Sequence, residues 1–370
     1  MNFNLSEEHE ALRDSASSFL SKEVDLSPLL VPGSTVAAAS YDALWAKIVA
    51  MGWPGMVIPE AYGGLGMDNI DLVMIVGEMG RTLAPAPLFG TLAGAWAILA
   101  AGDEAQKARL LGGVAAGEMK LAVAVADEQA NVDLSGTIVD ARADGDHYVL
   151  NGVRSFVVDA DAADRIVVPA RLDGALRWFV VERSAVQVEL LPWKDITRQV
   201  ARVRFDGASA ELLLGQQPES VWPFVRDRLY LMLAAESTSG SEAALRDAVD
   251  YAQERVAFGR PIGGYQAIKH QLAEIAGLVE CAKVGVLYAA WALSSNDADA
   301  TLAAAMAQSY ASEAYRAATY RNIQVFGAIG FTWEMKNHLF YKRARCNAEL
   351  LGAPRQQREE IMTILERKAA

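Results

Sequence analysis

The residues with the most evident chemistry in this chain of 370 residues stand in one stretch, ERVAFGRPIGGYQAIKHQLAEIA from Glu254 to Ala276. Arg255 is a permanently charged, multi-donor group, and Phe258 and Gln266 follow it closely. By contrast, His9, His147, His270 and His338 have no metal-ligand spacing, which argues against a metal enzyme. Gly63, Gly64 and Gly66 lack the preceding strand and the spacing of a dinucleotide-binding motif, and no Rossmann unit is visible.

The elements that must position Arg255 are helices. Leu229 to Glu254 contains no proline and reads as one long helix, which puts Arg255 at its C-terminal end, where the helix dipole favours a cation. Gly259, Pro261, Gly263 and Gly264 reverse the chain. A second helix runs from Tyr265, with Ile268, Leu272, Ile275 and Ala276 on one face. Two such helices are half of a bundle. From shape alone the turn is equally a plain helix connection.

The rest of the chain falls into three textures. From Leu5 to about Gly117 the pattern is helical, with Ser6 as an N-cap and Ser40 preceding the Leu44 and Ile48 face. From about Met119 short β-prone runs alternate with turns: Leu121–Ala126, His147–Leu150, Ser155–Val158, Arg165–Ala170, Trp178–Glu182, Val186–Leu191 and Val200–Phe205. That spacing predicts a small barrel or sandwich. From about Glu219 the chain is helical again, with breaks near Gly259–Gly264, Gly327–Thr332 and Gly352–Pro354. Such segregation predicts an α+β protein with a helical domain over 1–118, a β domain over 119–213 and a helical bundle over 214–370.

Composition narrows the function. A hydrophobic share of 52% with 22% charged residues fits a folded globular protein, and a net charge of -12 argues against a nucleic-acid partner. The N-terminus carries acids where a signal peptide needs a basic region. No apolar run approaches the ~20 residues of a membrane helix, so no membrane insertion is expected. Two cysteines, Cys281 and Cys346, in helical segments suit a reducing cytoplasm.

Three blocks carry a family resemblance: RVAFGRPIGGYQAIKH from Arg255, QVFGAIGFTWEMKNHLFYKRA from Gln324 and GWPGMVIPEAYGGLGMDNIDLVMIVGEMGRTLAPAP from Gly52. Each resembles a signature of the acyl-CoA dehydrogenases, in the same order. The resemblance implies an N-terminal helical domain, a β-barrel and a C-terminal four-helix bundle, with FAD at a dimer interface to which both subunits contribute. By the same likeness Arg255 would meet the FAD diphosphate with Phe258 and Gln266 beside it. Gln324 and Gly327 would lie around the adenosine and diphosphate, and Ala328 replaces a second Gly often found there.

What a subunit of that family supplies to its own flavin is missing. A Thr-Glu-Pro segment followed by Gly-Ser-Asp is replaced by AVADEQANVD from Ala124 to Asp133. After an Asn-Gly-x-Lys motif the family sets Trp and Thr against the flavin ring, whereas this chain reads NGVRSFVVD. Phe156 can still stack; the Val158 side chain cannot donate a hydrogen bond. The Tyr-Glu-Gly-Thr segment that carries the usual catalytic Glu is absent from FYKRARCNAELL, Phe340 to Leu351, which reads as helix continuing into GAPRQQREE. The alternative base position, 26 residues before Arg255, is Leu229. Glu236 lies on nearly the same side but about 10 Å along the axis, and Asp227 would need a two-residue slip. For both, a helix-surface or buried paired carboxylate is the competing reading.

Finally, KDITRQVARVRF from Lys194 to Phe205 resembles subunits of the unequal dehydrogenases that act on bulky steroid-side-chain acyl-CoA thioesters as α2β2 assemblies. Without that likeness Asp195 and Arg198 read as a turn-stabilising ion pair, weak at a surface. The resemblance implies a subunit that lacks the base and completes the FAD site of a partner, whose Glu removes the α-proton of an acyl-CoA. The product would be a trans-2-enoyl-CoA and the electron acceptor an electron-transfer flavoprotein. The alternatives are a self-sufficient homo-oligomer using Glu236 or Asp227, and a flavin-free scaffold.

Overall fold

The computed structural model describes residues 5–36, 38–136, 139–145 and 147–369. The first part is helical: α1 (Glu7–Glu23), α2 (Ala38–Ala50), α3 (Asn69–Thr82), α4 (Leu88–Ala101) and α5 (Glu104–Ala115). Ser6 caps α1 in a reciprocal box with His9, as its spacing predicts. Asp68 caps α3 in the same way with Asp71. Ser40 is no cap, because α2 already begins at Ala38 and places it inside the first turn. α4 is buried nearly all round and forms the hub of the main core, with Leu92, Trp96 and Ile98 fully enclosed.

The middle part contains β1 (Leu121–Val123), β2 (Asp140–Asp144), β3 (His147–Val158), β4 (Arg165–Leu172), β5 (Ala175–Glu182), β6 (Gln187–Leu190) and β7 (Val200–Leu212). β4, β2, β3, β7 and β5 pair in that order, and β5 pairs back with β4, so the sheet closes into the small barrel that the turn spacing predicts. Closure removes the free edges and encloses a separate core around Leu150, Ile166, Phe179, Val203 and Phe205. The runs before and after Asn151 are one strand, interrupted by a register shift between Arg154 and Val157 that leaves Phe156 with a φ of 55°. β2, DARAD, is largely exposed and carries no apolar alternation, which is why its sequence does not announce a strand.

The last part is built on α6 (Pro218–Glu254), followed by a hairpin of β8 (Val256–Ala257) and β9 (Arg260–Pro261). α7 (Gln266–Ser294), α8 (Ala300–Phe326), α9 (Asn337–Glu349) and α10 (Pro354–Ala369) complete the bundle. α7 is long and apolar enough, by length and composition, to cross a bilayer, contrary to the expectation that no such run exists. Its apolar residues have a different use: Ile275, Val279, Ala282, Val286 and Ala289 are buried against the other bundle helices. α9 also ends earlier than the sequence suggests. Leu350 to Ala353 breaks the helix, with Gly352 at a φ of 97°, before Pro354 opens α10.

Candidate functional site

The β8–β9 hairpin is a two-residue turn in which Phe258 and Gly259 have φ values of 52° and 81°. Successive positive φ values define a turn whose twist matches the strands. Glycine accepts that conformation, whereas a bulky Phe is strained in it. Phe258 is nonetheless held there with its ring 96% exposed. Tyr265 steadies the hairpin by donating its hydroxyl to the Ala257 carbonyl at 3.0 Å and by lying under the Arg260 guanidinium. Arg255 is the exposed C-cap of α6, and Gln266 opens α7, whose N-terminus has no side-chain cap. Such an end presents free N–H groups and a favourable dipole to an anion.

The second group arrives on α8. Tyr251 of α6 stacks on Phe326 at 4.1 Å between ring centroids, and Ala248, Ala252 and Val325 form a small core beneath the hairpin. That packing sets the exposed Gln324, Gly327 and Ala328 at the same end of the bundle as Arg255, Phe258 and Gln266. Gly327 has a φ of 69°, which suits glycine at a helix end. Phe331 is 75% exposed nearby in sequence. The six residues singled out for the far wall of a flavin site are therefore exposed on one surface.

The residues that would face the chain's own flavin line something different. Phe156, Val158, Val125, Ala126 and Val132 border a cavity of about 40 Å³ with Phe89 and Trp222. Leu229 lines it from α6, and Leu350 and Leu351 from the break before α10. No ionisable group is among its lining residues. Leu351 stands immediately before Gly352, as Glu stands before Gly in Tyr-Glu-Gly-Thr. The sequence places a break near Gly352–Pro354 but carries the helical pattern as far as Leu351.

Neither candidate acid reaches that cavity. Glu236 is buried and takes two hydrogen bonds from Arg198 Nη2, at 2.8 and 2.6 Å, and one from Asn347 Nδ2 at 3.2 Å. Asp227 is held by Arg226 at 2.8 Å and accepts from the Thr301 hydroxyl at 2.6 Å. Both behave as paired carboxylates.

Asp195 and Arg198 are also not the surface ion pair of a simple turn. Asp195 is fully buried and pairs with Arg343, while Arg198 pairs with Glu236, and Arg343 Nη1 lies 3.7 Å from Glu236. Thr197 donates its hydroxyl to Asp195 and accepts from Arg343 Nη2 at 2.6 Å. The Asp195 and Glu236 carboxylates hold the Arg343 guanidinium above its ordinary range, outweighing the desolvation that opposes them. This cluster ties the approach to β7 to α6 and α9. It also backs the cavity, since Arg198 lies over the Phe89 ring at 4.9 Å. Beside it Asp159 accepts from the Tyr41 hydroxyl at 2.5 Å and the Gly90 N–H at 2.9 Å; burial pushes its carboxyl up to about 6.

His9, Asp68 and Asp71 bring three ligand atoms together, the one such metal-capable group among the described residues. Those side chains already serve two helix caps.

A closed barrel between two helical parts, with an Arg–Phe–Gln hairpin at the bundle's end, is the architecture of an acyl-coenzyme A oxidoreductase. The chain belongs to the acyl-CoA dehydrogenase family: residues 6–118 match its N-terminal domain and residues 226–365 its C-terminal domain. Members of that family bind FAD. It is 33% identical to acyl-CoA dehydrogenase IpdE2 of Mycobacterium tuberculosis over 95% of both chains. The Tcur3481–Tcur3483 steroid ACAD is similar in structure, with a TM-score of 0.86 and 26% identity over 98% of this chain and 99% of that one. Butyryl-CoA dehydrogenase of Megasphaera elsdenii shares the fold, with a TM-score of 0.89 at 24% identity over 99% of this chain and 100% of that one.

Proposed function

We propose that this chain is the subunit of a heteromeric acyl-CoA dehydrogenase that lacks the catalytic base and completes the FAD site of a partner subunit that has one. The observation that carries this reading is the cavity behind Phe156. It is about 40 Å³ and apolar, and is lined by Leu229, which stands 26 residues before Arg255, and by Leu351, with no carboxylate. A cavity of that size accommodates a few waters at most. The Val158 side chain offers a flavin ring no hydrogen-bond donor. Proton abstraction needs a carboxylate within roughly 3 Å of the carbon acid, and no lining residue supplies one.

The far wall supports the same reading. Arg255 and the uncapped start of α7 at Gln266 would hold the FAD diphosphate, with Phe258, Gln324 and Gly327 around the adenosine end and Ala328 beside them. In the assembled enzyme FAD supplies the two-electron oxidation of the acyl chain to a trans-2-enoyl-CoA, with an electron-transfer flavoprotein as the next acceptor. A bulky, steroid-type thioester is the substrate class supported by the D-x-T-R segment and by the likeness to the steroid ACAD pair. Assembly is further supported by Val284, Met306, Tyr310 and Tyr320, large side chains exposed on α7 and α8.

The test is co-expression with a flavin-bearing dehydrogenase subunit and a count of FAD per chain. One FAD per pair is expected, with this chain colourless when purified alone and Arg255→Ala reducing the flavin retained at least tenfold. A yellow, active homo-oligomer would overturn the proposal. An Arg255→Ala complex with unchanged flavin and turnover would instead identify a flavin-free scaffold.

A further inference from the structure

α6 has polar chemistry on two sides. Glu236 faces the buried ion cluster, whereas Thr238, Glu242 and Arg246 border a separate cavity of about 520 Å³ shared with α1, α3 and α7. That volume is within the range of small-molecule sites. Its apolar part comes from Val73, Met74, Ala235, Val286 and Leu287.

Among the charged residues that line it, cations outnumber carboxylates. Arg13, Arg81, Arg246, Lys283 and Lys336 face only Glu78, Glu242 and Asp247. Arg81 pairs with Glu78, Lys283 with Glu242 at 2.9 Å and Lys336 with Asp247 at 3.1 Å, which accounts for the three carboxylates. Arg13 has only Asp14, at 3.7 Å and not part of the lining, and exposed Arg246 has no ion pair among the described residues. With Asp14 beside Arg13 and Glu280 also 3.0 Å from Lys283, both outside the lining, Arg246 is the lining cation without an ion pair among the described residues, in a chain whose net charge is -12. The Thr238 hydroxyl is buried in the wall without a hydrogen-bond partner among the described residues.

We propose that this cavity binds a small amphiphilic carboxylate, its aliphatic body against Val73, Met74 and Val286 and its carboxylate between Arg13 and Arg246. Arg presents a planar fork that matches a carboxylate bidentately. No aromatic ring lines the cavity, so a nucleotide would find nothing to stack on, while an alkyl chain finds a floor of its own polarity. The site is independent of the subunit role proposed above, since α6 separates it from the Phe156 cavity and it shares no lining residue with that cavity.

The experiment is calorimetric titration of the full chain, in its complex, with decanoate and with neutral decanol. One saturable decanoate site per chain is expected, with decanol at least tenfold weaker. Arg246→Glu alters an exposed side chain and Arg13→Glu a half-buried one, and both leave folding intact; each weakens decanoate at least tenfold and leaves flavin content unchanged. Absence of saturable decanoate binding, equal affinity for decanol, or affinity unmoved by both substitutions would overturn the assignment.

Discussion

At the scale of single residues, the decisive fact about Glu236 is its company. A carboxylate bonded twice to Arg198 and packed near Arg343 contributes to holding three parts of the chain together. Removing one partner of a buried pair leaves an uncompensated charge, at a cost of about 3–5 kcal/mol. Glu236→Gln is therefore expected to lower the unfolding free energy by several kcal/mol, measured by urea denaturation. A variant of unchanged stability would contradict the clasp role and revive a catalytic one. His338 gives a pH signature of its own. Burial, then the nearby Lys342 charge, depresses its imidazole from the ordinary 6.5 to about 4. Because the unfolded chain then binds the extra proton, the stability it contributes is complete above about pH 6.5 and declines as pH falls toward 4. His338→Gln is expected to flatten the stability profile between pH 7 and 5.5; an unaltered slope would show the ring to be solvated.

At the scale of elements, α3 and α6 approach one another through glycine. A Cβ on Gly80 would lie 2.5 Å from the Glu236 backbone, and one on Gly77 would lie 2.7 Å from the Ser239 hydroxyl. Gly80→Ala must push the helices apart on the side that carries the ion cluster. Overpacking of this kind costs about 1–3 kcal/mol, and a thermal midpoint within a degree of the parent would refute so close a crossing. The elements were legible in the sequence to the extent that local pattern sets them. Ser6 and His9 announce the start of α1, and alternating apolar runs announce six of the seven barrel strands. β2 was illegible because DARAD is a strand by virtue of pairing with β3 and β4 alone. The break before α10 falls at Gly352–Pro354 as the sequence places it, and α9 ends at Glu349, two residues before the Leu351 to which the helical pattern runs.

At the scale of the whole molecule, large apolar side chains stand exposed at the end of the bundle and along α7 and α8. Phe258 and Phe331 project at the end of the bundle, and Val284, Met306 and Tyr310 lie uncovered on α7 and α8. Exposed apolar side chains that join into a patch mark interaction surfaces in folded proteins. Met306→Glu is expected to shift the complex toward smaller species in sedimentation without lowering the unfolding midpoint of the chain itself. Retention of full assembly would remove the α7–α8 face from the interface.

The sequence by itself determined the order of helical, barrel and helical parts and the presence of Arg255, Phe258, Gln266, Gln324 and Gly327, because caps, turns and periodicity are local and motifs are contiguous. Tertiary structure alone decided that Asp195 pairs with Arg343 and not with Arg198, and that Leu229 and Leu351 close over one small cavity. Those partners lie far apart along the chain. Pairing of buried charges depends on which helices reach the same dry interior, and no local pattern encodes that.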